Sequence, residues 1–307
     1  MTYSSAYSAS DKRPRGPSLY YPRQTAIYYW FRLAETDHAL SLPEGSVLAP
    51  DERAPSGSQA KGHDRIGPIN RGKRAVEPII RIVDLWKEYS QNGGEITAAL
   101  AGASVEIARG QIVALLGKSG SGKTTLLNLL AGLDQPTRGM VEIEGADLRA
   151  MGEQGLTSLR RRRLGFVFQF FNLLPTLTAL ENVFLSLELI DIPNREGAYA
   201  ALDAVGLKGK EDRYPYELSG GEQQRVAIAR AIVKRPSIVL ADEPIGNLDN
   251  RTGEQILDLL HTQARASKST LIMASHSLLT CRYADRVLRM EDGRIVEESP
   301  APWGKAQ

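Results

Sequence analysis

The chain has 307 residues, enough for one large domain or two ordinary ones, and its apolar fraction of 42% supports a sizeable core. Its formal net charge is only +2, and the part after residue 75 is almost balanced in charge, which argues against a dedicated nucleic-acid binder. The single cysteine, Cys281, excludes an internal disulfide framework, and no apolar run reaches the roughly 18 residues that a membrane-spanning helix needs.

The first 75 residues have the composition of a disordered extension, rich in Pro, Tyr, Gly and Ser. Within them, AIYYWFRLAETDHALSL could form a short amphipathic helix that docks on a membrane surface, although the composition favours a poorly ordered segment. The layout of a secretory signal is missing. Because Met140 is the next methionine after Met1, a second hypothesis is that translation starts near Val76 at a non-Met codon.

From residue 76 to residue 307, short apolar runs alternate with helical patterns. The pattern predicts strands at IIRIVDLWKEY, ASVEIARGQIVALLG, MVEIEG, SIVLAD and STLIMAS, and a helix at KTTLLNLLAGL. Residues 172–235 have helical patterns and no convincing strand, which predicts a helical subdomain. The alternation as a whole predicts an α/β fold with a mainly parallel sheet.

A glycine-rich segment, GKSGSGKT, lies between a predicted strand and a predicted helix, which is the context of a phosphate-binding loop. It consists of Gly117, Lys118, Ser119, Gly120, Ser121, Gly122, Lys123 and Thr124. Its backbone N–H groups are expected to surround a β-phosphate, Lys123 to neutralise the β- and γ-phosphates, and the Thr124 hydroxyl to bind Mg²⁺. The Thr125 hydroxyl is expected to face the α-phosphate. A chance glycine-rich loop is the alternative, and the strand–loop–helix order argues against it.

The run IVLADE brings two carboxylates to the end of a buried strand, the edge at which open α/β sheets bind ligands. Asp242 is a candidate for holding Mg²⁺ through its water shell, and Glu243 for polarising an attacking water. Alone, such a pair is often a solvated turn. Gln169 and His276 are also unremarkable as single residues, since a His after a strand is more often structural than catalytic.

The segment LSGGEQQRVAIARA predicts a helix with an unusually open N-terminus. Ser219 is a favoured N-cap residue, and Gly220 and Gly221 precede a helical pattern from Glu222 to Lys234. A helix end with free N–H groups and no bulky side chain suits an anion. The sequence therefore predicts a second anion-contacting element, separate from the glycine-rich loop.

These segments, in this order, resemble the ATP-binding-cassette (ABC) ATPases over residues 79–298. GKSGSGKT resembles the Walker A loop, FVFQFFNLLP the Q-loop, LSGGE the family signature, IVLADE Walker B, NLD the D-loop and ASHS the switch-histidine segment. The resemblance implies a phosphate-loop NTPase core with an antiparallel β edge and a helical subdomain. It also implies ATP hydrolysis with ATP and Mg²⁺ as cofactors.

The resemblance further implies a head-to-tail dimer, in which Ser219, Gly220 and Gly221 of one copy face the γ-phosphate of ATP held by the other. Within each copy, it implies that Glu243 is the general base and that His276 contacts the γ-phosphate. Gln169, together with Thr124 and Asp242, would contact the metal or its bound water. Tyr89 would stack on adenine, Ile96 would contact the base or ribose, and Asp249 of the D-loop would lie near the nucleotide.

The segments FQFFNLLPTLTALENV and ADEPIGNLD most resemble those of lipoprotein-releasing, macrolide-exporting and antimicrobial-peptide-exporting ATPases. This resemblance implies a separate integral membrane permease as partner and a peripheral location at the cytoplasmic face of the cell membrane. An importer ATPase and a non-transporting regulator of a membrane partner remain alternatives. A soluble cassette acting on ribosomes or DNA is a weaker one, because the chain has neither a second cassette nor an inserted coiled coil, and no nucleic-acid partner is expected.

Four positions depart from the usual pattern of the family. Lys118, Thr124, Ile245 and Ser277 stand where the family often has Pro, Ser, Thr and Asp, and all four leave the essential chemical groups in place. The basic run LRRRRLG, residues 159–165, could attract phosphates or lipid headgroups, but such a run is expected to be a solvated face.

Overall fold

The computed structural model describes residues 77–90 and 96–300. Their strands are β1 (Pro78–Ser90), β2 (Ile96–Ala108), β3 (Ile112–Leu116), β4 (Arg138–Ile143), β5 (Ala146–Asp147), β6 (Leu164–Val167), β7 (Ile238–Asp242), β8 (Thr270–Ser275), β9 (Arg286–Glu291) and β10 (Arg294–Pro300). Their α-helices are α1 (Lys123–Leu130), α2 (Gly152–Arg162), α3 (Ala179–Glu188), α4 (Arg195–Ala204), α5 (Gly220–Ile232) and α6 (Asn250–Ser267). The predicted disordered extension, with its alternative helix and start site, lies outside the described residues.

The strands form two sheets. The larger has the order β10-β9-β3-β8-β7-β6, in which every neighbouring pair is parallel except β9 and β10. The smaller, with the order β2-β1-β4-β5, is antiparallel. The predicted α/β fold with a mainly parallel sheet and an antiparallel edge is therefore confirmed. Because β3, β8, β7 and β6 are adjacent and parallel, the loops that follow them emerge at one edge of the sheet.

The central strands are buried on both faces, which explains their continuous apolar runs. In β7, Ile238 and Leu240 pack into the cluster shared with the antiparallel sheet and α1, whereas Val239 and Ala241 pack into the cluster shared with α3, α5 and α6. Alternate residues of a strand point to opposite faces, so one strand serves both cores. Packing against these two cores fixes the positions of the strand ends from which the loops emerge.

Residues 172–235 contain three α-helices, each with a side-chain cap at its start. Thr178 and Glu181 form a reciprocal capping box at α3, and Ser219 and Glu222 form another at α5. Asn194 caps α4 by accepting a hydrogen bond from the N–H of Gly197. None of the helices in the described segments combines the length and apolar composition needed to span a bilayer.

The prediction that the whole run 159–165 is a solvated face is wrong for Arg160. This side chain is 1% exposed, and its guanidinium donates to the Gly132 carbonyl, the Thr157 hydroxyl and the Glu153 carboxylate. Burying an arginine requires such partners, because an unpaired charge is costly in the interior. Arg162 and Arg163, at the end of the same helix, are exposed. Arg160 therefore joins α2 to the segment that follows α1.

Candidate functional site

The glycine-rich loop connects β3 to α1 and folds back on itself. Gly122 has φ +99°, and a Cβ there would lie 2.4 Å from the Ala99 carbonyl oxygen, so only glycine fits. Lys123, the first residue of α1, is 6% exposed, and its Nζ donates to the carbonyls of Gly117 and Lys118 at 2.7 and 3.0 Å. The loop thus encloses the ammonium group of Lys123 at the start of a helix, where the helix dipole also favours an anion.

The remaining loop side chains take different positions around this turn. Lys118, Ser119 and Thr124 are exposed, and Thr125 is half-buried. Ser121 is buried, and its Oγ has no hydrogen-bond partner among the described residues. A buried hydroxyl without a partner is costly unless a polar group comes to it, so the loop fits a ligand rich in oxygen atoms.

Asp242 lies at the carboxyl end of β7, beside the glycine-rich loop. Burial raises the pKa of its carboxyl group to about 6, against the opposing effect of a hydrogen bond from the Thr124 side chain. Its Oδ1 atom is buried and receives no hydrogen bond within the described part of the chain. Because an orphaned carboxylate oxygen beside a hydroxyl matches the hard oxygen ligands that Mg²⁺ prefers, these residues fit the predicted metal. Asp242, Thr124 and Gln169 line one small pocket.

Glu243 directs its carboxylate between two cationic or ionisable groups. Oε1 lies 3.9 Å from Lys123 Nζ, and Oε2 lies 3.0 Å from Nδ1 of His276. The Glu243 backbone has φ +45°, a rare conformation for a non-glycine residue, and its N–H donates to the Ala274 carbonyl at 2.8 Å. The Glu243 side chain is 13% exposed and that of His276 63% exposed, so the pair lies at the rim of the site.

Ser275, the last residue of β8, is a site residue that the sequence analysis missed. Its hydroxyl donates to Oε2 of Glu243 at 3.3 Å and accepts from the Ser277 N–H at 3.1 Å. The only signal in the sequence is a small polar residue at the end of an otherwise apolar strand. Ser275 therefore contacts Oε2 of the carboxylate, whereas Lys123 lies near Oε1.

Gln169 follows β6 and is tied to the segment after Glu243. Its carbonyl accepts a hydrogen bond from Asn247 Nδ2 at 2.9 Å, and its Nε2 would lie 3.3 Å from a Cβ at residue 246. Two and three residues further on, Phe171 and Asn172 both have positive φ, and their carbonyls accept hydrogen bonds from the buried Arg230 of α5 at 2.8 and 2.6 Å. The Gln169 segment is thus fastened to α5.

The N-terminus of α5 is open to solvent. Ser219 and Gly220 are exposed, and the Ser219 N–H and Oγ both bond to Glu222. A hydrogen bond from Lys210, followed by those from Ser219, lowers the pKa of Glu222. A Cβ at Gly221 would lie 2.6 Å from the Thr252 methyl group, so Gly221 is needed for close packing against α6.

Asp249 caps α6 by accepting a hydrogen bond from the Thr252 N–H at 3.0 Å, and hydrogen bonds from Thr252 lower its pKa. Asp249 and His276 also line one open pocket. The structure therefore brings Asp249 to the rim of the cluster while giving its carboxylate a local capping partner.

Tyr89 and Ile96 lie at the end of the antiparallel sheet, where β1 and β2 pair through Tyr89 with Thr97 and Ser90 with Ile96. The side chains of Tyr89 and Ile96 are 41% and 66% exposed. On the same strand as Ile96, Ala99 and Leu100 contact the glycine-rich loop at Gly122. Both predicted base-contacting residues are therefore on the sheet that adjoins the loop.

Comparison with known proteins gives one consistent family. The family model "ABC transporter" matches residues 100–246. The lipoprotein-releasing system ATP-binding protein LolD of Pseudomonas syringae pv. tomato is 47% identical over 217 residues, 70% of this chain and 95% of LolD. The uncharacterized ABC transporter ATP-binding protein YbbA of Escherichia coli K12 is 46% identical over 227 residues, 73% of this chain and 99% of YbbA.

Solved structures agree with these relatives. The dimeric structure of MJ0796, a bacterial ABC transporter cassette, is 39% identical, with a TM-score of 0.67, and the match covers 72% of this chain and 98% of that one. A post-hydrolysis dimer of the same cassette, bound to ADP and Pi, matches with 38% identity and the same TM-score. The glycine-rich loop, the paired carboxylates and the open helix end thus occur in a chain that belongs to the ABC transporter ATP-binding proteins, a family that hydrolyses ATP.

Proposed function

We propose that two copies of this chain bind Mg-ATP between them, hydrolyse it and thereby drive a separate membrane permease of the lipoprotein-releasing type. The observation that supports the proposal most is the division of phosphate-binding groups between two places on the chain. The loop, Lys123 and Glu243 form one cluster. Among the described residues, Leu248, Phe171 and Thr252 lie next to the two glycines at the exposed N-terminus of α5. A head-to-tail dimer would bring the two together, and the dimeric state of the MJ0796 structures supports the formation of a dimer.

In this proposal, residues of one copy hold the nucleotide and its metal. Lys123 and the loop N–H groups bind the β- and γ-phosphates, while Thr124, Asp242 and Gln169 hold Mg²⁺. The bound metal would neutralise charge on the phosphates. Tyr89 and Ile96 contact the base. The orphaned Oδ1 of Asp242 supports this assignment, because a hard cation would supply the partner that this buried oxygen lacks among the described residues.

Glu243 accepts the proton of the attacking water in the proposed reaction. Ser275 and His276 both contact Oε2, and Lys123 lies near Oε1, so the carboxylate is held in a fixed direction. His276 is exposed enough to contact the γ-phosphate as well. A positioned base contributes about 10²- to 10⁴-fold to a rate.

Helix α5 of the second copy, which begins in the segment LSGGE, completes the pocket. Its N-terminus has about half a positive charge. Gly220 and Gly221 present N–H groups without a bulky side chain, and Ser219 presents its hydroxyl, because its own N–H donates to Glu222. ATP would then hold the dimer together, and loss of the γ-phosphate would release it. Because a symmetric dimer has two equivalent sites, loss of the γ-phosphate removes the contact at both, and the free energy of dimer association falls by the contribution of two contacts.

A hydrolysis-blocked variant tests the proposed dimer. We expect Glu243→Gln to have the mass of a dimer by light scattering with saturating Mg-ATP and of a monomer with Mg-ADP. Lys123→Ala, which lacks the phosphate-binding ammonium group, is the matched control and should stay monomeric with both. A Glu243→Gln variant that remains monomeric with Mg-ATP, alone and with its permease, contradicts the proposal.

The permease is tested separately. Crosslinking of the chain in its native membrane, followed by mass spectrometry, should identify an integral membrane protein, and the reconstituted complex should release lipoprotein from vesicles only with ATP. Recovery of ribosomes or DNA with no membrane protein would overturn the permease assignment.

A further inference from the structure

We propose that Lys87 and Asp134 are positioning residues that hold the Tyr89 ring as a fixed stacking surface for the adenine base. This inference rests on the proposed function, in which Tyr89 contacts the base of ATP, and it adds the groups that fix the ring. Neither residue belongs to a motif singled out in the sequence.

One carboxylate makes both key contacts. The Tyr89 hydroxyl donates to Asp134 Oδ2 at 2.7 Å, and Lys87 Nζ donates to Asp134 Oδ1 at 2.6 Å. Lys87 Nζ donates also to the Gln135 carbonyl at 2.9 Å and lies 4.8 Å from the centre of the Tyr89 ring. The ring is therefore held at its hydroxyl by Asp134 and contacted on one face by an ammonium group.

Lys87 and Asp134 are more buried than the Tyr89 ring that they contact. The Lys87 and Asp134 side chains are 13% and 29% exposed, whereas Tyr89 is 41% exposed. A partly buried ion pair is less screened than a fully exposed one, and the additional hydrogen bonds of Lys87 and Asp134 fix its geometry.

The ring is connected to the phosphate loop through two routes. Asp134 follows α1, which begins at the loop, and the same segment bonds β1 again where the Thr137 N–H donates to the Trp86 carbonyl at 2.9 Å. On the other side, Tyr89 pairs with Thr97 of β2, which is two residues, or about 7 Å, from Ala99 at the loop. The spacing between ring and phosphate loop is therefore set before a nucleotide binds, and such preorganisation increases affinity by reducing the cost of ordering.

Inorganic tripolyphosphate separates this role from a general structural one, because it has the phosphates of ATP and no base. The measurement is the Kd for each ligand by calorimetry with the full chain. Tyr89→Phe removes the hydroxyl and keeps the ring, and Asp134→Ala removes the acceptor. We expect both variants to bind ATP about three- to tenfold more weakly and tripolyphosphate as the wild type does. The double variant should lose no more than either alone, and Asp203→Ala, at an exposed site on α4, should behave as the wild type.

Three results would overturn the inference. Unchanged ATP affinity in Tyr89→Phe and Asp134→Ala, with a loss in Tyr89→Ala, would mean that the ring stacks without being held. An equal loss for both ligands in Asp134→Ala would make Asp134 a structural residue only. If Tyr89→Ala keeps full ATP affinity, the base contact in the proposed function fails as well. Lys87→Met provides the same measurement should Asp134→Ala not fold, and an ATP affinity equal to the wild type would again overturn the inference.

Discussion

The Nδ1 atom of His276 lies 3.0 Å from Oε2 of Glu243, and the same oxygen accepts a hydrogen bond from the Ser275 hydroxyl. Two consecutive residues at the end of β8 therefore contact the residue that follows β7. Since the two strands are hydrogen-bonded neighbours, their relative register fixes this contact. The carboxylate has an orientation set by the sheet itself.

We expect Glu243→Gln to lower the rate of ATP hydrolysis by about 10²-fold or more while ATP binding is kept, because the amide has nearly the shape of the carboxylate and cannot accept the proton. Steady-state phosphate release and the Kd for ATP measure the two properties. Glu188→Gln, at the exposed end of α3, is the control. Hydrolysis at the wild-type rate in Glu243→Gln would remove Glu243 from the catalytic role.

We expect Ser275→Ala to lower kcat by about 3- to 10-fold with little change in the Kd for ATP, since the lost hydrogen bond orients Glu243 without contacting the nucleotide in the proposal. The test is to measure kcat and the Kd for ATP on the same preparation and to compare the loss in each. An equal loss in both parameters, together with a lower melting temperature, would indicate that Ser275 only supports the fold.

The two signature glycines should differ in what they are needed for. A Cβ at Gly220 meets Leu248 and Phe171 at 3.6 and 3.7 Å, whereas one at Gly221 meets Thr252 at 2.6 Å. Gly220→Ala should therefore fold with a near-normal melting temperature and dimerise more weakly with Mg-ATP in the Glu243→Gln background. Gly221→Ala should lower the melting temperature by a few degrees. Normal dimerisation of Gly220→Ala would exclude a close approach of a partner at this helix end.

Lys234 predicts a dependence of stability on pH. Burial, and then the charge of Arg230, lowers its pKa to about 7 from an ordinary value of 10.5. Between these values the unfolded chain binds the extra proton, so this lysine makes the free energy of unfolding rise with pH by up to about 1.4 kcal/mol per pH unit. Lys234→Met should remove that rise, so the stability of the variant relative to the wild type should be higher at pH 7 than at pH 9.5.

Urea unfolding at the two pH values measures this difference. Lys234→Met also removes the hydrogen bond from Lys234 to the Arg160 carbonyl. That loss changes the free energy of unfolding by the same amount at both pH values, so it does not affect the difference between them. Lys208→Met, at an exposed lysine, should show no such dependence. An identical difference at both pH values would mean that Lys234 has an ordinary pKa in the folded chain.

The sequence predicts the central strands and the phosphate loop well because their signals are local. β3, β7 and β8 are continuously apolar since both faces are buried, and the loop needs glycine at residue 122 for its positive φ. The prediction was less complete where one run contains two strands. ASVEIARGQIVALLG includes the end of β2 and all of β3, separated by a turn at Gly110 with φ +74°.

Side-chain contacts between distant segments could not be predicted in this way. Arg160 belongs to a basic run that looks solvated, and its burial depends on the carbonyl of Gly132, 28 residues earlier. Asp134 holds Tyr89 across 45 residues, and Ser275 meets Glu243 across 32. Such partners are set by which strands become neighbours, and no local periodicity encodes that choice.

The order of β3, β8, β7 and β6 in the sheet determines where insertions and deletions should leave the site intact. Neighbouring strands are about 4.8 Å apart, so the four segments that follow them lie side by side over about 14 Å, whatever the length of chain between them. Extra residues in the surface connection between α3 and α4 would leave that spacing untouched. Removal of one residue inside β7 would turn Asp242 to the opposite face and place Glu243 at the strand end in its stead.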